Sequence, residues 1–236
     1  MSDFSHEMTG PIGVKAALGL IVLQADETIE QELRRLIFDP EVSLYVSRVP
    51  SGLKVTRETL TEMGKTLTSA AALFPRAVRF DAVGYGCTSG ASVIGGGKVA
   101  DLIREGCETA HVTDPLSAVV AQCRDKGLSR LALLSPYVED VNEGLRKALA
   151  EEGIETPVFG SFGVAEEARV ARISPNSVWA AATKLAERAN VDGMFLSCTN
   201  LRTADVLAGL TQELGFPVMS SNRALAWHMC RLAGLG

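Results

Sequence analysis

One eight-residue pattern occurs twice in this chain, and it constrains the fold more than any other feature. Residues Asp81 to Thr88 read D-A-V-G-Y-G-C-T, and residues Asp192 to Thr199 read D-G-M-F-L-S-C-T. Each copy is an acid, five mostly apolar or small residues, a cysteine and a threonine, which is typical of a buried strand that ends in a loop. The repetition predicts two similar halves, each with one thiol at the carboxyl end of a strand.

Apolar runs of strand length alternate with amphipathic runs of helix length. The predicted strands are Ala17–Leu23, Val42–Val49, Phe80–Gly86, Thr109–Thr113, Arg130–Ser135, Thr156–Phe162, Gly193–Ser197 and Pro217–Met219. The predicted helices are Thr28–Phe38, Thr56–Leu73, Lys98–Glu105, Pro115–Lys126, Val138–Glu152, Pro175–Asn190, Arg202–Leu214 and Asn222–Leu232. Most strand runs are apolar at consecutive positions, as in strands covered by helices on both faces. The alternation therefore predicts an α/β fold with parallel sheets.

The spacing of the strands predicts how the chain divides. Leu20 precedes Cys87 by 67 residues, and Leu131 precedes Cys198 by the same number. We therefore expect two similar parallel-sheet α/β units related by pseudo-twofold symmetry, with the active site in the cleft between them. The predicted division is residues 1–115 for the first unit, joined by the last helix at residues 221–236, and residues 116–220 for the second unit.

Composition and charge exclude several classes of protein. The chain has 236 residues, of which 47 % are hydrophobic, and its net charge is −5. We find no Lys/Arg cluster for nucleic acid, no apolar run that approaches a membrane span and no signal-peptide pattern at the N-terminus. We expect a cytoplasmic protein that binds neither nucleic acid nor membrane. We also expect a homo-oligomer, either a dimer or a tetramer.

The five cysteines are expected to be reduced thiols, because their number is odd, their spacings are wide and a chain of this size does not need disulfides. The three histidines lack ligand spacing, so no metal site is predicted. The glycine-rich segment Gly95–Lys98 lacks the other positions of a phosphate-binding loop, and no dinucleotide fingerprint occurs. No cofactor is therefore expected.

The candidate catalytic groups are Cys87 and Cys198. Each ends a strand, is followed by capping residues and has a counterpart in the other half. A thiolate can remove a proton from one face of a carbon, and a thiol can return a proton on the other. A helix N-terminus after each cysteine would lower the thiol pKa and favour an anion. The alternative, a cysteine that packs as a small core residue, is our expectation for Cys107, Cys123 and Cys230.

The candidate substrate-binding residues lie at the carboxyl ends of strands, where ligands of open α/β sheets bind. They are Gln24, Asp26, Thr88, Ser89, Tyr137, Asn142, Thr199 and Asn200. Tyr137 either directs its hydroxyl into the cleft or packs its ring in the core, and we favour the cleft. Asn142, in the first turns of a predicted helix, is either a site residue or a plain surface residue. The expected partner is a small carboxylate substrate.

Three segments of the chain carry a resemblance to a known group of enzymes. Gly84–Gly90, Ser135–Tyr137 and Ser197–Thr203 resemble the aspartate/glutamate racemase superfamily. Within it, the chain is most similar to the branch of maleate cis-trans isomerase, arylmalonate decarboxylase and ectoine-utilisation protein A. The resemblance implies two α/β domains and cofactor-independent chemistry with two opposed cysteines. It also implies that, in an isomerase, Cys87 adds to the double bond while Cys198 handles the proton.

Two features bear on the choice of substrate. Decarboxylases of the branch keep only the second thiol, so the presence of both argues against a typical decarboxylase. Maleate isomerases have an asparagine shortly after the first strand that helps to bind a substrate carboxylate, whereas here Asp26 stands at about that place. An acid there would repel a dicarboxylate and could pair with a substrate amino group. The segment after Cys198 is similar to the ectoine-utilisation type.

These observations predict a racemase-like two-cysteine isomerase. Its substrate would be a small carboxylic acid or an amino-acid derivative, from the utilisation of ectoine or hydroxyectoine. The alternative enzyme is a maleate cis-trans isomerase, which converts maleate to fumarate. The alternative of another class is a two-lobed small-molecule binding protein, since two α/β lobes around a cleft also suit that task.

Overall fold

Two parallel sheets of four strands form the centre of the molecule. The computed structural model describes residues 3–188 and 190–236. The first half contains β1 (Ala16–Leu23), α1 (Ile29–Leu36), β2 (Val42–Val49), α2 (Arg57–Gly64), α3 (Leu67–Ala71), β3 (Phe80–Gly86), α4 (Thr88–Ile94), α5 (Gly96–Gly106) and β4 (Thr109–Thr113). The second half contains α6 (Pro115–Lys126), β5 (Arg130–Ser135), α7 (Glu139–Glu151), β6 (Glu155–Ser161), α8 (Glu167–Val170), α9 (Pro175–Ala186), β7 (Gly193–Leu196), α10 (Leu207–Leu214), β8 (Val218–Ser220) and α11 (Ser221–Leu232).

The two sheets share one topology. The strand order is β2-β1-β3-β4 in the first and β6-β5-β7-β8 in the second, and all pairings are parallel. The central strands are buried on both faces, as their consecutive apolar residues predicted. The predicted α/β fold of two similar units is confirmed.

The two halves were predicted to have the same spacing of 67 residues between the first strand and the cysteine, and this prediction is wrong by two residues. Leu20 pairs with Gly84, whereas Leu133 pairs with Phe195. Gly84 and Phe195 each lie three residues before the cysteine of their half. The structural counterpart of Leu20 is therefore Leu133, which is 65 rather than 67 residues before its cysteine. Equal spacing along the chain matches Leu20 with Leu131, whereas the register of the strands matches it with Leu133.

The helices differ from the prediction where local signals are weak. The predicted helix Thr56–Leu73 is two helices, because the chain turns at Lys65–Thr66 between α2 and α3. The predicted helix Pro175–Asn190 ends at Ala186, and its position 189 lies outside the described residues. The helix start predicted after Cys87 is present as α4, for which no limits were predicted, whereas the short helix α8 was not predicted. Among the described residues, no helix is long and apolar enough to cross a membrane.

The last helix connects the two halves. α11 follows the edge strand of the second sheet but packs Leu225, Ala226 and Met229 into an apolar cluster with Leu18 and Leu20 of the first sheet. The carboxyl ends of the two sheets meet beside its first turn, where Ser221 lies fully buried. The predicted limits of the two units, residues 1–115 and 116–220, stay a prediction.

Candidate active site

The two repeated cysteines lie in one buried site between the sheets. Cys87 directly follows β3, and Cys198 follows β7 by two residues. Burial raises the pKa of both thiols, and the charges of the same two carboxylates, Glu167 and Asp26, raise it further. The Thr199 hydroxyl donates a hydrogen bond of 3.2 Å to the carbonyl oxygen that ends β3, which joins the two strand ends. The predicted convergence of the strand ends is present.

Cys87 is the N-cap of α4. Its Sγ accepts a hydrogen bond of 3.1 Å from the backbone N–H of Gly90. A Cβ atom at position 90 would overlap the Tyr85 hydroxyl and lie 2.9 Å from Cys87 Sγ, so this close approach requires glycine. Burial raises the Cys87 pKa to about 12, more than the Gly90 hydrogen bond lowers it. The expected lowering by the helix N-terminus is outweighed, and Cys87 is a neutral thiol here.

Cys198 is held in a strained conformation by its neighbours. Its φ is 108°, a value that costs an L-residue about 1–3 kcal/mol and persists only when the surroundings enforce it. The Cys198 N–H donates to Ser221 Oγ at 3.0 Å, and Ser221 Oγ is 2.8 Å from Thr88 Oγ1 of the other half. Cys198 Sγ lies 3.0 Å from the Tyr137 hydroxyl and accepts a hydrogen bond of 3.3 Å from Asn200 N–H.

No helix begins after Cys198, so that part of the prediction is wrong. The chain continues irregularly until α10 starts at Leu207. The buried carboxylate of Glu32, on α1 of the other half, accepts hydrogen bonds of 3.1 Å from the N–H groups of Thr203 and Ala204. These two N–H groups therefore bind a side chain of the other half and do not form the first turn of a helix. Burial raises the Cys198 pKa well above its usual value, so the expected lowering is absent here as well.

Glu167 is a site residue that was not predicted from the sequence. It is 2 % exposed, and its Oε1 accepts a hydrogen bond of 3.0 Å from the Tyr137 hydroxyl. Its Oε2 accepts one of 3.0 Å from the Asn200 side-chain amide. Burial raises the Glu167 pKa. Its charged surroundings, A-E-E-A-R, are typical of an exposed loop, but the position shortly after a predicted strand was a usable signal.

Asp26 is the second buried carboxyl of the site. Its Oδ1 accepts hydrogen bonds from the N–H groups of Thr28 and Ile29 at 2.8 and 2.9 Å, which begins α1. Its Oδ2 is buried and accepts no hydrogen bond of good geometry, because the Thr199 hydroxyl, which is close enough to lower the Asp26 pKa, donates to the Gly86 carbonyl instead. Burial raises the Asp26 pKa to about 6, although the two N–H groups lower it. The Arg48 guanidinium donates to the backbone carbonyl of Asp26 and not to its carboxylate.

Most of the other predicted residues surround the thiols. Thr88 and Ser89 are buried in the first turn of α4. Tyr137 is buried, and its hydroxyl reaches both Cys198 and Glu167, as the cleft alternative predicted. Asn200 joins the halves, because its Oδ1 accepts from Glu27 N–H at 2.9 Å while its amide group donates to Glu167.

Two predicted residues do not reach the thiols. Gln24 is exposed at the end of β1. Asn142 is buried, but its side-chain amide donates to the carbonyl oxygens of Tyr137 and Val138 at 2.7 and 3.1 Å. It therefore positions the loop that carries Tyr137.

Two loops that we call the clasp, residues 53–55 and 165–167, join the two halves beside Glu167. The N–H of Val55 donates to the carbonyl of Ala165 at 3.0 Å, and the N–H of Glu167 donates to the carbonyl of Leu53 at 3.3 Å. The loops follow β2 and β6, which occupy equivalent edges of the two sheets. Cys87 and Cys198 are 6 % and 2 % exposed beneath them. A ligand therefore reaches the thiols only when a part of the chain around the site moves.

Comparison with known proteins places this arrangement in a family. Residues 97–236, more than half of the chain, match the arylmalonate decarboxylase family. The chain belongs to this family. The arylmalonate decarboxylase of Bordetella bronchiseptica is 36 % identical over 121 residues, which are 51 % of this chain and 50 % of that protein. This alignment thus spans only half of that relative's length.

Relatives with another activity align over nearly the whole chain. The maleate isomerase of Nocardia farcinica is 25 % identical over 231 residues, which are 91 % of this chain and 88 % of that protein. A solved structure of a Nocardia farcinica maleate cis-trans isomerase mutant, with a covalently bound succinylcysteine intermediate, has a TM-score of 0.83 and 25 % identity, and 93 % of each chain is covered. The predicted branch and the prediction of an isomerase-type enzyme are confirmed.

Proposed function

We propose that the protein is a cofactor-independent, racemase-like isomerase that uses Cys87 and Cys198 on a small carboxylic acid or amino-acid derivative. The observation that carries this proposal is the placement of the two thiols in one closed site, at the ends of matching strands of two sheets. A group that sits between two opposed thiols can lose a proton to one and gain a proton from the other.

The hydrogen bonds around Cys198 provide a path for its proton. The Tyr137 hydroxyl has one hydrogen, which it donates to Glu167, so the Cys198 S–H donates to the Tyr137 oxygen. The thiol proton passes to Tyr137 while the Tyr137 proton passes to Glu167, which leaves a Cys198 thiolate and a neutral carboxyl. Burial raises the pKa of Glu167, which makes it a better proton acceptor than an exposed carboxylate, although burial also raises the pKa of the Cys198 thiol that gives up the proton.

The thiolate then takes the proton from the substrate carbon, and the Cys87 thiol returns a proton on the opposite face. The carbanion between these steps is stabilised as an enediolate. Backbone N–H groups at the start of α4 would donate hydrogen bonds to its negatively charged oxygens. The reverse direction uses the same groups in exchanged roles. We further propose ectoine or hydroxyectoine utilisation as the setting, on the similarity of the S-C-T-N-L-R-T segment to that type.

Maleate cis-trans isomerisation is the second candidate, and the presence of both cysteines favours it. In this reaction Cys87 would enter as the thiolate and form a C–S bond with one vinylic carbon, while the electron pair of the double bond moves to the other. The Cys198 thiol would protonate that second carbon. After rotation about the resulting single bond, Cys198 would take a proton back from this carbon as the Cys87 thiolate leaves, which gives fumarate. The two buried carboxyls of the site oppose this candidate, because maleate has two negative charges.

Isotope exchange tests the proposal. The protein is incubated in deuterated water with 2-aminobutyrate, 2-hydroxybutyrate and maleate, and label at the α or vinylic carbon is measured by NMR. We expect Cys87→Ala and Cys198→Ala each to lower exchange by about 10²–10⁴-fold. The matched control is Cys107→Ala, which lies outside the site and should exchange normally.

The outcomes separate the candidates. Exchange that survives both site substitutions contradicts the two-thiol mechanism. Exchange at a stereocentre supports a racemase, whereas fumarate formed from maleate supports the isomerase. Binding of these acids without exchange supports the two-lobed binding protein.

A further inference from the structure

The active site holds an excess of acidic groups. Asp26, Glu167, the two thiols and the Tyr137 hydroxyl lie within one another's electrostatic influence. Across residues 3–188 and 190–236, no Lys, Arg or His forms an ion pair or hydrogen bond with the Asp26 or Glu167 carboxylate. Buried carboxylates are usually paired, so two of them without a cation are a feature to be explained.

The guanidinium groups that contact Asp26 and its neighbour Glu27 are engaged elsewhere. Arg48 donates to the backbone carbonyls of Leu23 and Asp26 and forms an ion pair with Glu30. Arg172 forms an ion pair with Glu27 at the outer surface. Neither side chain neutralises the buried carboxylates.

The free acceptor atoms of these carboxylates belong to opposite halves of the molecule. Asp26 is 3 % exposed, and its buried Oδ2 has no hydrogen-bond partner. Each Glu167 oxygen accepts one hydrogen bond from another side chain, although a carboxylate has about four acceptor sites in total. A group with several N–H donors and a positive charge would satisfy both residues.

We propose that Asp26 and Glu167 together bind a protonated nitrogen group of the ligand, an ammonium or an amidinium, beside the two thiols. The site then selects cationic and zwitterionic ligands and rejects dicarboxylates. This inference rests on the proposed function, because it takes the ligand of the cleft to be the substrate. When the Cys198 proton resides on Glu167, Asp26 keeps a negative charge opposite the cation.

Charged thiol reagents test the proposal without knowledge of the substrate. The cation 2-aminoethyl methanethiosulfonate and the anion 2-sulfonatoethyl methanethiosulfonate differ mainly in charge. A thiolate attacks the reagent sulfur, a disulfide forms and methanesulfinate leaves. Peptide mass spectrometry at pH 8 gives the rate at each cysteine. The half-buried Cys107, whose pKa neither acid perturbs, is the internal reference for intrinsic reactivity.

We expect the cationic reagent to label Cys87 and Cys198 about tenfold or more faster than the anionic one, relative to their ratio at Cys107, because a cleft lined by one charge concentrates the opposite charge. Asp26→Asn and Glu167→Gln should each lower this preference, and the double variant should abolish it. The matched controls Asp101→Asn and Glu143→Gln remove exposed carboxylates, and the preference for the cationic reagent should be unchanged in them.

Three results would overturn the proposal: equal or anion-favoured labelling of the wild type, an unchanged preference in the double variant, or no labelling of either thiol by any reagent. The wild-type measurement decides the matter if a variant fails to fold. Failure of the proposed function gives a different result, namely a cation-selective cleft with no deuterium exchange in any ligand. Exchange with no charge preference would retain the proposed function and reject the cation site.

Discussion

At the scale of single residues, the two carboxylate oxygens of Asp26 differ in their contacts, because one stabilises the start of α1 and the other accepts no hydrogen bond. Its Oδ1 holds the first N–H groups of α1, whereas its buried Oδ2 is unbonded. A buried carboxylate of this kind lowers the stability of the folded state when it is ionised. Such a residue is expected where a site is organised for a ligand instead of for maximal stability.

Asp26→Asn should change how stability depends on pH. The folded-state pKa of about 6 lies above the usual 3.8, so the folded protein binds this proton more tightly than the unfolded chain. Stability therefore falls as pH rises through that window, and the loss is complete above pH 6. Asparagine does not ionise. Between pH 4 and pH 8, the free energy of unfolding of the variant should therefore fall by about 2–3 kcal/mol less than that of the wild type.

Urea denaturation at both pH values measures the difference. Asp101→Asn, on the exposed face of α5, is the control and should follow the wild type. If the free energy of unfolding has the same pH dependence in the wild type and in Asp26→Asn, the carboxyl of Asp26 is not destabilising.

At the scale of elements, we expect the clasp to control access to the thiols. Lys54 and Glu166 form its central pair, and the flanking residues make the two hydrogen bonds. This is the non-hydrogen-bonded type of antiparallel pair, in which the Cα atoms lie about 4.5 Å apart. That separation lies within the range that a disulfide accepts.

A disulfide between Lys54→Cys and Glu166→Cys should lock the cleft. After oxidation, labelling of Cys87 and Cys198 by the neutral reagent N-ethylmaleimide should slow by about tenfold or more, because ligand entry needs the loops to separate. Dithiothreitol should restore the rate. The two single variants under the same oxidant are the controls. Unchanged labelling of the locked protein would show that ligands enter by another route.

The elements also show what the sequence could and could not predict. Strand limits were predicted to within one residue, because strands buried on both faces are apolar at consecutive positions. The irregular chain after Cys198 was not predictable, since the acceptor for its N–H groups is Glu32, far away in the sequence. Glu167 was missed for the same reason: its burial depends on Tyr137 and Asn200, which only the fold brings near.

At the scale of the whole molecule, side chains and helices cross between the halves. α11 belongs to the second half by order along the chain, yet it covers the first sheet. Glu32 of the first half binds backbone groups of the second, and its other carboxylate oxygen accepts from Asn222 at 2.9 Å. Because each half is completed by the other, we expect the molecule to unfold as one cooperative unit.

Met229→Ala tests this cooperativity. Met229 is fully buried, and its sulfur lies against Gly84 of the first sheet, so the substitution should cost about 2–5 kcal/mol. In a Trp227→Phe background, Trp179 reports on the second half by fluorescence, and far-UV circular dichroism reports on the whole. Both signals should shift together in urea. Met8→Ala, at an exposed position, should have no effect; two separated transitions would contradict a single unit.

The left-handed backbone at Cys198 is unfavourable for the stability of the fold, although the cysteine side chain is needed for the chemistry. Glycine adopts a φ of 108° without strain, whereas a residue with a side chain does not. Selection for thermal tolerance alone would favour glycine at this position and discard the sulfur. A lineage that has lost its substrate should therefore drift toward glycine here early, and a cysteine retained at this angle marks a protein whose turnover is still under selection.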